Sequence, residues 1–153
     1  MAVSRRKLAA DAWGSVLRVQ AALVPVLDRQ VRAEAGLPLG WYDVLLELAA
    51  AEEGRLTMSV LAARVVLSRT RVSRVVDELS DAGLVHRERN ADDGRSAYAV
   101  LTEQGRARYE QAAPGYVSAI EQYFGKPLSA DELRELAALL NRVLDRLPGT
   151  LPA

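Results

Sequence analysis

The stretch from Leu67 to Leu101 constrains this chain more than any other, because an amphipathic helix leads directly into two short strand-like runs around a tight tip. Ser68 suits an N-cap, and Val72, Val75, Val76 and Leu79 recur at the spacing of one buried helical stripe. Gly83 follows as the stop signal. At about 100° per residue, the opposite side carries Thr70, Ser73, Arg74 and Asp77, with Arg69 and Arg71 flanking it near the N-terminal end. Such a helix buries its back and presents a hydrogen-bonding front.

In isolation that front would pass for a solvated surface, but its neighbours give it a purpose. Thr57 to Val66 reads as a short helix with Val60, Leu61 and Val65 inward, joined through Leu67 and Ser68 with almost no linker. That is helix-turn-helix spacing. Downstream, Leu84 to Arg89 and Tyr98 to Leu101 bracket Asn90, Ala91, Asp92, Asp93 and Gly94, whose composition suits a turn between strands and predicts a β-wing. Arginine can grip guanine edges bidentately or clamp phosphate, serine and threonine reach either, and a helix N-terminus attracts phosphate. The front from Ser68 through Arg69, Thr70, Arg71 and Ser73 to Arg74 is therefore the expected surface for double-stranded DNA.

A formal net charge of +0 at first argues against a nucleic-acid partner. Distribution matters more than the sum. Between Gly54 and Val76 lie five arginines and no acidic residue, while Asp and Glu concentrate in the flanking segments. The basic footprint is local.

At 153 residues the chain suits one compact unit, or a small domain elaborated by oligomerisation helices. No apolar run approaches membrane-spanning length. The basic N-terminus leads into an amphipathic segment interrupted by Asp11 and Arg18 rather than a signal-peptide core, so a cytoplasmic protein is expected. With no cysteine and one histidine, neither a disulfide nor a metal site is expected, and no cofactor is implied.

The expected fold class is mostly α with a small β-wing: a winged helix-turn-helix core over residues 39–101, with residues 1–38 and 102–153 forming a helical dimerisation region. Residues 5 to 35 read as a long helix with Leu8, Ala12, Val16, Val19, Leu23 and Leu27 in one stripe, kinked at Pro25 and ended by Gly36 and Pro38. Trp41 to Ala51 is a shorter apolar helix, and Glu52, Glu53 and Gly54 form a break. Thr102 caps a helix to about Phe124, interrupted at Pro114 and Gly115. Ser129 to Glu132 is a capping box ahead of Leu133, Leu136, Leu140, Val143 and Leu147. These long helices exceed what a small core can cover, so a symmetric homodimer with two reading helices about one DNA turn apart is expected on a palindromic site.

The run from Leu79 to Arg87, then Asp93, Gly94 and Arg95, then Val100 to Gly105, resembles the MarR family of bacterial winged-helix regulators, and the resemblance extends over nearly the whole chain. It implies a homodimeric repressor on a palindromic operator, with Ser68 to Arg74 facing the major groove and Arg95 at the wing tip entering the minor groove. Arg89 joins that wing surface, and Asp93 would orient the wing by pairing with an arginine or by favouring the turn. An arginine on a narrow turn suits the enhanced negative potential of a narrow A·T-rich groove.

The resemblance also implies a small aromatic or anionic effector between the dimerisation helices and the DNA-binding core, with Trp13, Trp41, Tyr42 and Asp43 as candidate contacts. Trp13, Asp43, Arg74 and Arg87 further resemble positions through which one branch of the family senses urate, although Trp13 lies on the first long helix rather than on an extra N-terminal one.

An enzyme is not expected, since no nucleophile elbow, phosphate loop or metal spacing is present and His86 sits in a wing strand. The alternative of a winged helix used only for protein contacts leaves the arginine- and hydroxyl-rich front without a role.

Overall fold

The structure, a computed structural model, describes residues 4–65 and 69–148. Among the described residues, six α-helices and a three-stranded sheet follow in the order α1 (Arg5–Ala35), α2 (Leu39–Ala50), β1 (Arg55–Thr57), α3 (Met58–Arg64), α4 (Arg69–Asp81), β2 (Val85–Arg89), β3 (Ala97–Leu101), α5 (Glu103–Ile120) and α6 (Ala130–Leu144). A π-helical turn, Glu121–Gly125, continues α5. The mostly helical winged-helix architecture agrees with the sequence expectation.

The core lies where α2 crosses α4. Val44, Leu45 and Leu48 of α2, Leu61 of α3 and Val72, Val76 and Leu79 of α4 are fully buried, with Val75 nearly so. Each such side chain contributes roughly 1.5–3 kcal/mol by leaving water, so the apolar stripe fixes the rotation of α4. Tyr42 belongs to this core as well. Its ring packs between Tyr109 and Tyr116 of α5, with centroids 5.6 and 4.5 Å away, and only 2% of it is exposed.

Local chemistry sets the helix ends. The Oγ of Ser4, Thr57, Thr102 and Ser129 each accept a backbone N–H of the helix that follows, and Ser129 with Glu132 completes the expected capping box. The N-terminus of α2 is capped from outside the local sequence. Pro38 offers no side-chain acceptor, and Asp28 of α1 takes the Leu39 N–H at 2.8 Å. Burial works to raise the Asp28 carboxyl, but the Leu39 N–H and the guanidinium of Arg32, 2.8 Å away, outweigh it and hold Asp28 below the ordinary carboxylate range. Just past the C-terminal end of α4, Gly83 turns with φ 74° and Leu84 N–H reaches back to Leu79 O at 2.9 Å. A left-handed glycine thus ends the α4 segment, as its sequence position predicts.

Three features depart from the sequence reading. β1 pairs antiparallel with β3, Leu56 opposite Ala99, giving the order β1-β3-β2 and a third strand where only a helix start was expected. Helix α5 runs through Pro114 and Gly115 without interruption, because its packing on α1 and α2 outweighs the one backbone bond that a proline forfeits. Helix α1 spans Pro25 as the single long helix that the sequence predicts. The expected apolar stripe of α1 is buried only from Leu27 onward, while Leu8, Val16 and Val19 remain exposed.

The start of α5 locks the wing to α4. Thr102 N–H donates to Leu84 O at 3.1 Å, and the Thr102 hydroxyl donates to Gly83 O at 2.8 Å. Gly105 sits so close that a Cβ there would lie 2.0 Å from Leu84 O, a backbone atom that cannot swing aside. Gly105→Ala is therefore expected to destabilise the fold by about 1–3 kcal/mol, the usual cost of overpacking, measured by urea unfolding; a loss within about 0.5 kcal/mol, typical of unconstrained surface sites, would contradict this locking role.

Candidate nucleic-acid interface

With its apolar side buried, α4 exposes Thr70, Arg71 and Arg74 on the opposite side. Ser68 lies outside the described residues, and of Arg69 only its place as the first residue of α4 is described. Among the described residues Arg74 forms no ion pair, which leaves its guanidinium available to an incoming phosphate or base edge.

Ser73 occupies a different position from its neighbours. Its Oγ and backbone carbonyl accept from Arg87 Nη2 at 3.2 and 3.4 Å, and the same guanidinium pairs with Asp77 Oδ1 at 2.7 Å. Arg87 of β2 thus braces the wing against α4. The Ser73 hydroxyl proton stays free to donate outward, but its oxygen is oriented by the brace.

The wing tip is self-bonded. Asn90 N–H donates to Ser96 O at 3.2 Å, Ser96 N–H to Asp93 O at 3.0 Å, and Asp93 Oδ1 accepts the Arg95 N–H at 3.1 Å. Asp93 therefore shapes the turn, and among the described residues it pairs with no arginine side chain. Arg95 stands exposed at the tip, and Arg89 is exposed at the end of β2, opposite Ala97. Behind them, Arg55 of β1 lies 5.0 Å from the centroid of Tyr98 and 2.8 Å from Glu53, which anchors the base of the sheet. His86 is exposed on the wing surface and faces Glu88 at 2.9 Å.

A crevice of about 1300 Å3 opens between α1, α2 and α4. Trp41, Asp43 and Arg74 line it; Tyr42, Trp13 and Arg87 do not. Tyr42 faces the tyrosine core instead, Trp13 is 61% exposed on the outer part of α1, and Arg87 is held in the wing brace. The four positions that resemble a urate site are thus not brought together within one chain. Sequence reasoning also missed residues that do line the crevice: Asp28, Arg32, Glu47, Arg64 and Glu78. Glu78 accepts the Trp41 indole N–H at 2.9 Å and ties the mouth of α2 to α4. Burial, with Glu47 nearby, pushes the Asp43 carboxyl up to about 6.

Among the described residues no group of three or more His, Cys, Asp or Glu side chains is placed to hold a metal ion, and no helix is long and apolar enough to cross a membrane. What the geometry offers is a basic helix front, a basic wing tip and a lined crevice behind them.

Comparison with known proteins points the same way. The family model described as the MarR family matches residues 35–96, which hold α2, the helix-turn-helix and most of the wing. The HTH-type transcriptional repressor YetL of Bacillus subtilis is 30% identical over 115 residues, which is 75% of this chain and 68% of that protein. Among solved structures, Sco3205, a MarR family transcriptional regulator from Streptomyces coelicolor in complex with DNA, superposes with a TM-score of 0.82 at 29% identity, covering 99% of this chain and 98% of that one. The PcaV transcriptional regulator from the same organism, in complex with its natural ligand, gives 0.75 at 27% identity over 95% of this chain and 99% of that one. A buried-back, basic-front α4 beside a self-bonded wing, found in a chain so related, places this protein in the MarR family of winged-helix transcriptional regulators.

Proposed function

We propose that the protein is a homodimeric repressor that binds a palindromic operator in double-stranded DNA and releases it when a small aromatic ligand occupies the crevice between α1, α2 and α4. The observation that carries this reading is the exposed front of α4, Thr70, Arg71 and Arg74, held in one orientation by a fully buried back. Arg95 and Arg89 extend the same basic surface along the wing. The front suits the major groove and the wing tip the minor groove beside it. Sco3205 is related over nearly its full length and is seen with DNA, and YetL is named a repressor; both support the assignment.

A second copy of the chain is the partner that the terminal helices suit. The first turns of α1 expose Leu8, Trp13, Val16 and Leu17, and α6 has no buried residue although Leu139, Leu140, Val143 and Leu144 stand along it. Residues 1–38 and 102–153 then form the dimerisation region and residues 39–101 the reading domain. Two reading heads related by a two-fold axis demand a two-fold operator. A DNA partner also makes the cytoplasm the working compartment.

The crevice suits an effector because its walls include α4 itself. A molecule lodged against Trp41, Val75 and Arg74 would shift the helix whose front reads DNA, and the two ligands would oppose each other through that element. PcaV, solved with its natural ligand, is a related regulator of this kind.

Fluorescence anisotropy with a duplex from the protein's own promoter region tests the DNA assignment. Affinity is expected to fall steeply with salt, and Arg71→Ala to lower the log–log slope by about one for a lost phosphate contact. Absent or salt-insensitive binding would point instead to a winged helix that contacts proteins alone.

A further inference from the structure

The crevice is not a neutral slot. Val24, Pro25, Leu46 and Val75 supply apolar wall, Trp41 a ring, and most of its charged groups already have partners. Asp28 takes the Leu39 N–H and Arg32, each at 2.8 Å. Glu47 faces Arg64 at 3.9 Å, and Glu78 holds the Trp41 indole.

Among the acids of the crevice, Asp43 is the exception. It is half-buried on α2, one helical turn before Glu47, and its carboxylate has no hydrogen bond or ion pair among the described residues. The charged and titratable groups sharing the crevice with it are Asp28 and Arg32 of α1, Glu47 of α2, Arg64 of α3, Arg71, Arg74 and Glu78 of α4, and Tyr116 of α5. None of them pairs with it. Of the four arginines, Arg32 and Arg64 are matched by Asp28 and Glu47, while Arg71 and Arg74 lie on the exposed front of α4.

We propose that the crevice selects an aromatic cation, an amine-bearing ring whose ammonium group docks on the Asp43 carboxylate while its apolar body lies along the α1–α2 wall. This rests on the reading of the crevice as the effector site and adds the charge that the effector carries. An anion seated at Asp43 would meet a half-buried carboxylate that carries no donor of its own, and Arg74, although without an ion pair among the described residues, lies on the exposed front of α4. An ammonium instead supplies the donors that the carboxylate lacks, in a charge-assisted hydrogen bond. The elevated Asp43 carboxyl accords with this, because a partly desolvated acid without a cation holds its proton to higher pH.

The sign of the pH dependence separates the two charges of ligand. Cation binding requires ionised Asp43, so it weakens as pH falls through about 6; anion binding would strengthen over the same range. Isothermal titration calorimetry on the full-length protein with 2-naphthylmethylamine and 2-naphthoate, which share a ring system and differ in charge, reads this directly. The amine is expected to bind about tenfold more tightly at about pH 8 than at about pH 5, a ratio set by a carboxyl titrating near 6. It should exceed the naphthoate in affinity at about pH 8, and Asp43→Asn should flatten the profile. Tighter binding of the naphthoate, a flat wild-type profile for the amine, or no binding of the amine would each overturn the proposal.

Anisotropy on the operator duplex in the presence of each probe keeps the two readings apart. If the naphthoate binds and loosens DNA, the aromatic-cation proposal falls and ligand-coupled release stands. If the amine binds with the expected profile yet leaves DNA affinity unchanged, release falls and the aromatic-cation proposal stands.

Discussion

The burial of Val72, Val76 and Leu79 of α4 against Val44, Leu45 and Leu48 of α2 is the interaction on which the other arrangements depend. A helix has one rotational freedom about its axis, and three fully buried side chains on one stripe remove it. Once α4 cannot turn, Thr70, Arg71 and Arg74 must face outward, and the residues at its C-terminal end reach β2 and Trp41 in fixed positions. The wing then inherits its placement. Arg87 ties β2 to Asp77 and Ser73, and the Thr102 and Gly105 junction holds the α4–β2 turn against α5. A basic surface of this kind owes its geometry to apolar packing on the hidden side.

Much of this was legible in the chain because it is local. The α4 stripe, the glycine after it, the turn composition of the wing tip and the Ser129 capping box are encoded within a few residues of where they act. What escaped was non-local or too short. β1 spans three residues and carries no readable alternation. Asp28 caps α2 from eleven residues away, a pairing that only the α1–α2 packing creates. Pro114 stands where local propensity predicts an interruption, yet α5 runs through it, since tertiary packing holds backbone that local propensity would break.

The site was legible to different degrees for the same reason. The α4 front follows from periodicity, so Thr70, Arg71 and Arg74 stand on the side where the sequence puts them. Ser73 shares that side, but its oxygen is engaged by Arg87, an arrangement set by strand–helix distance rather than by spacing. Among aromatic residues, type alone could not separate wall from core: Trp41 lines the crevice and the adjacent Tyr42 fills the centre of the molecule. The partnering of the crevice acids was equally hidden, because Asp28, Glu47 and Glu78 find theirs on neighbouring side chains or helices and Asp43 does not.

Because α4 is at once a wall of the crevice and the bearer of the basic front, the proposed effector and DNA would oppose each other through a single element. That coupling matters only if two such heads grip one duplex in the geometry that the exposed terminal helices suggest. Hydroxyl-radical footprinting of the intact protein on its own promoter region tests this most directly. Two protected segments related by a two-fold axis and about one helical turn apart are expected, each flanked by a minor-groove protection that Arg95→Ala removes. A single unsymmetrical protection, or a flanking pattern unchanged by that substitution, would contradict that geometry.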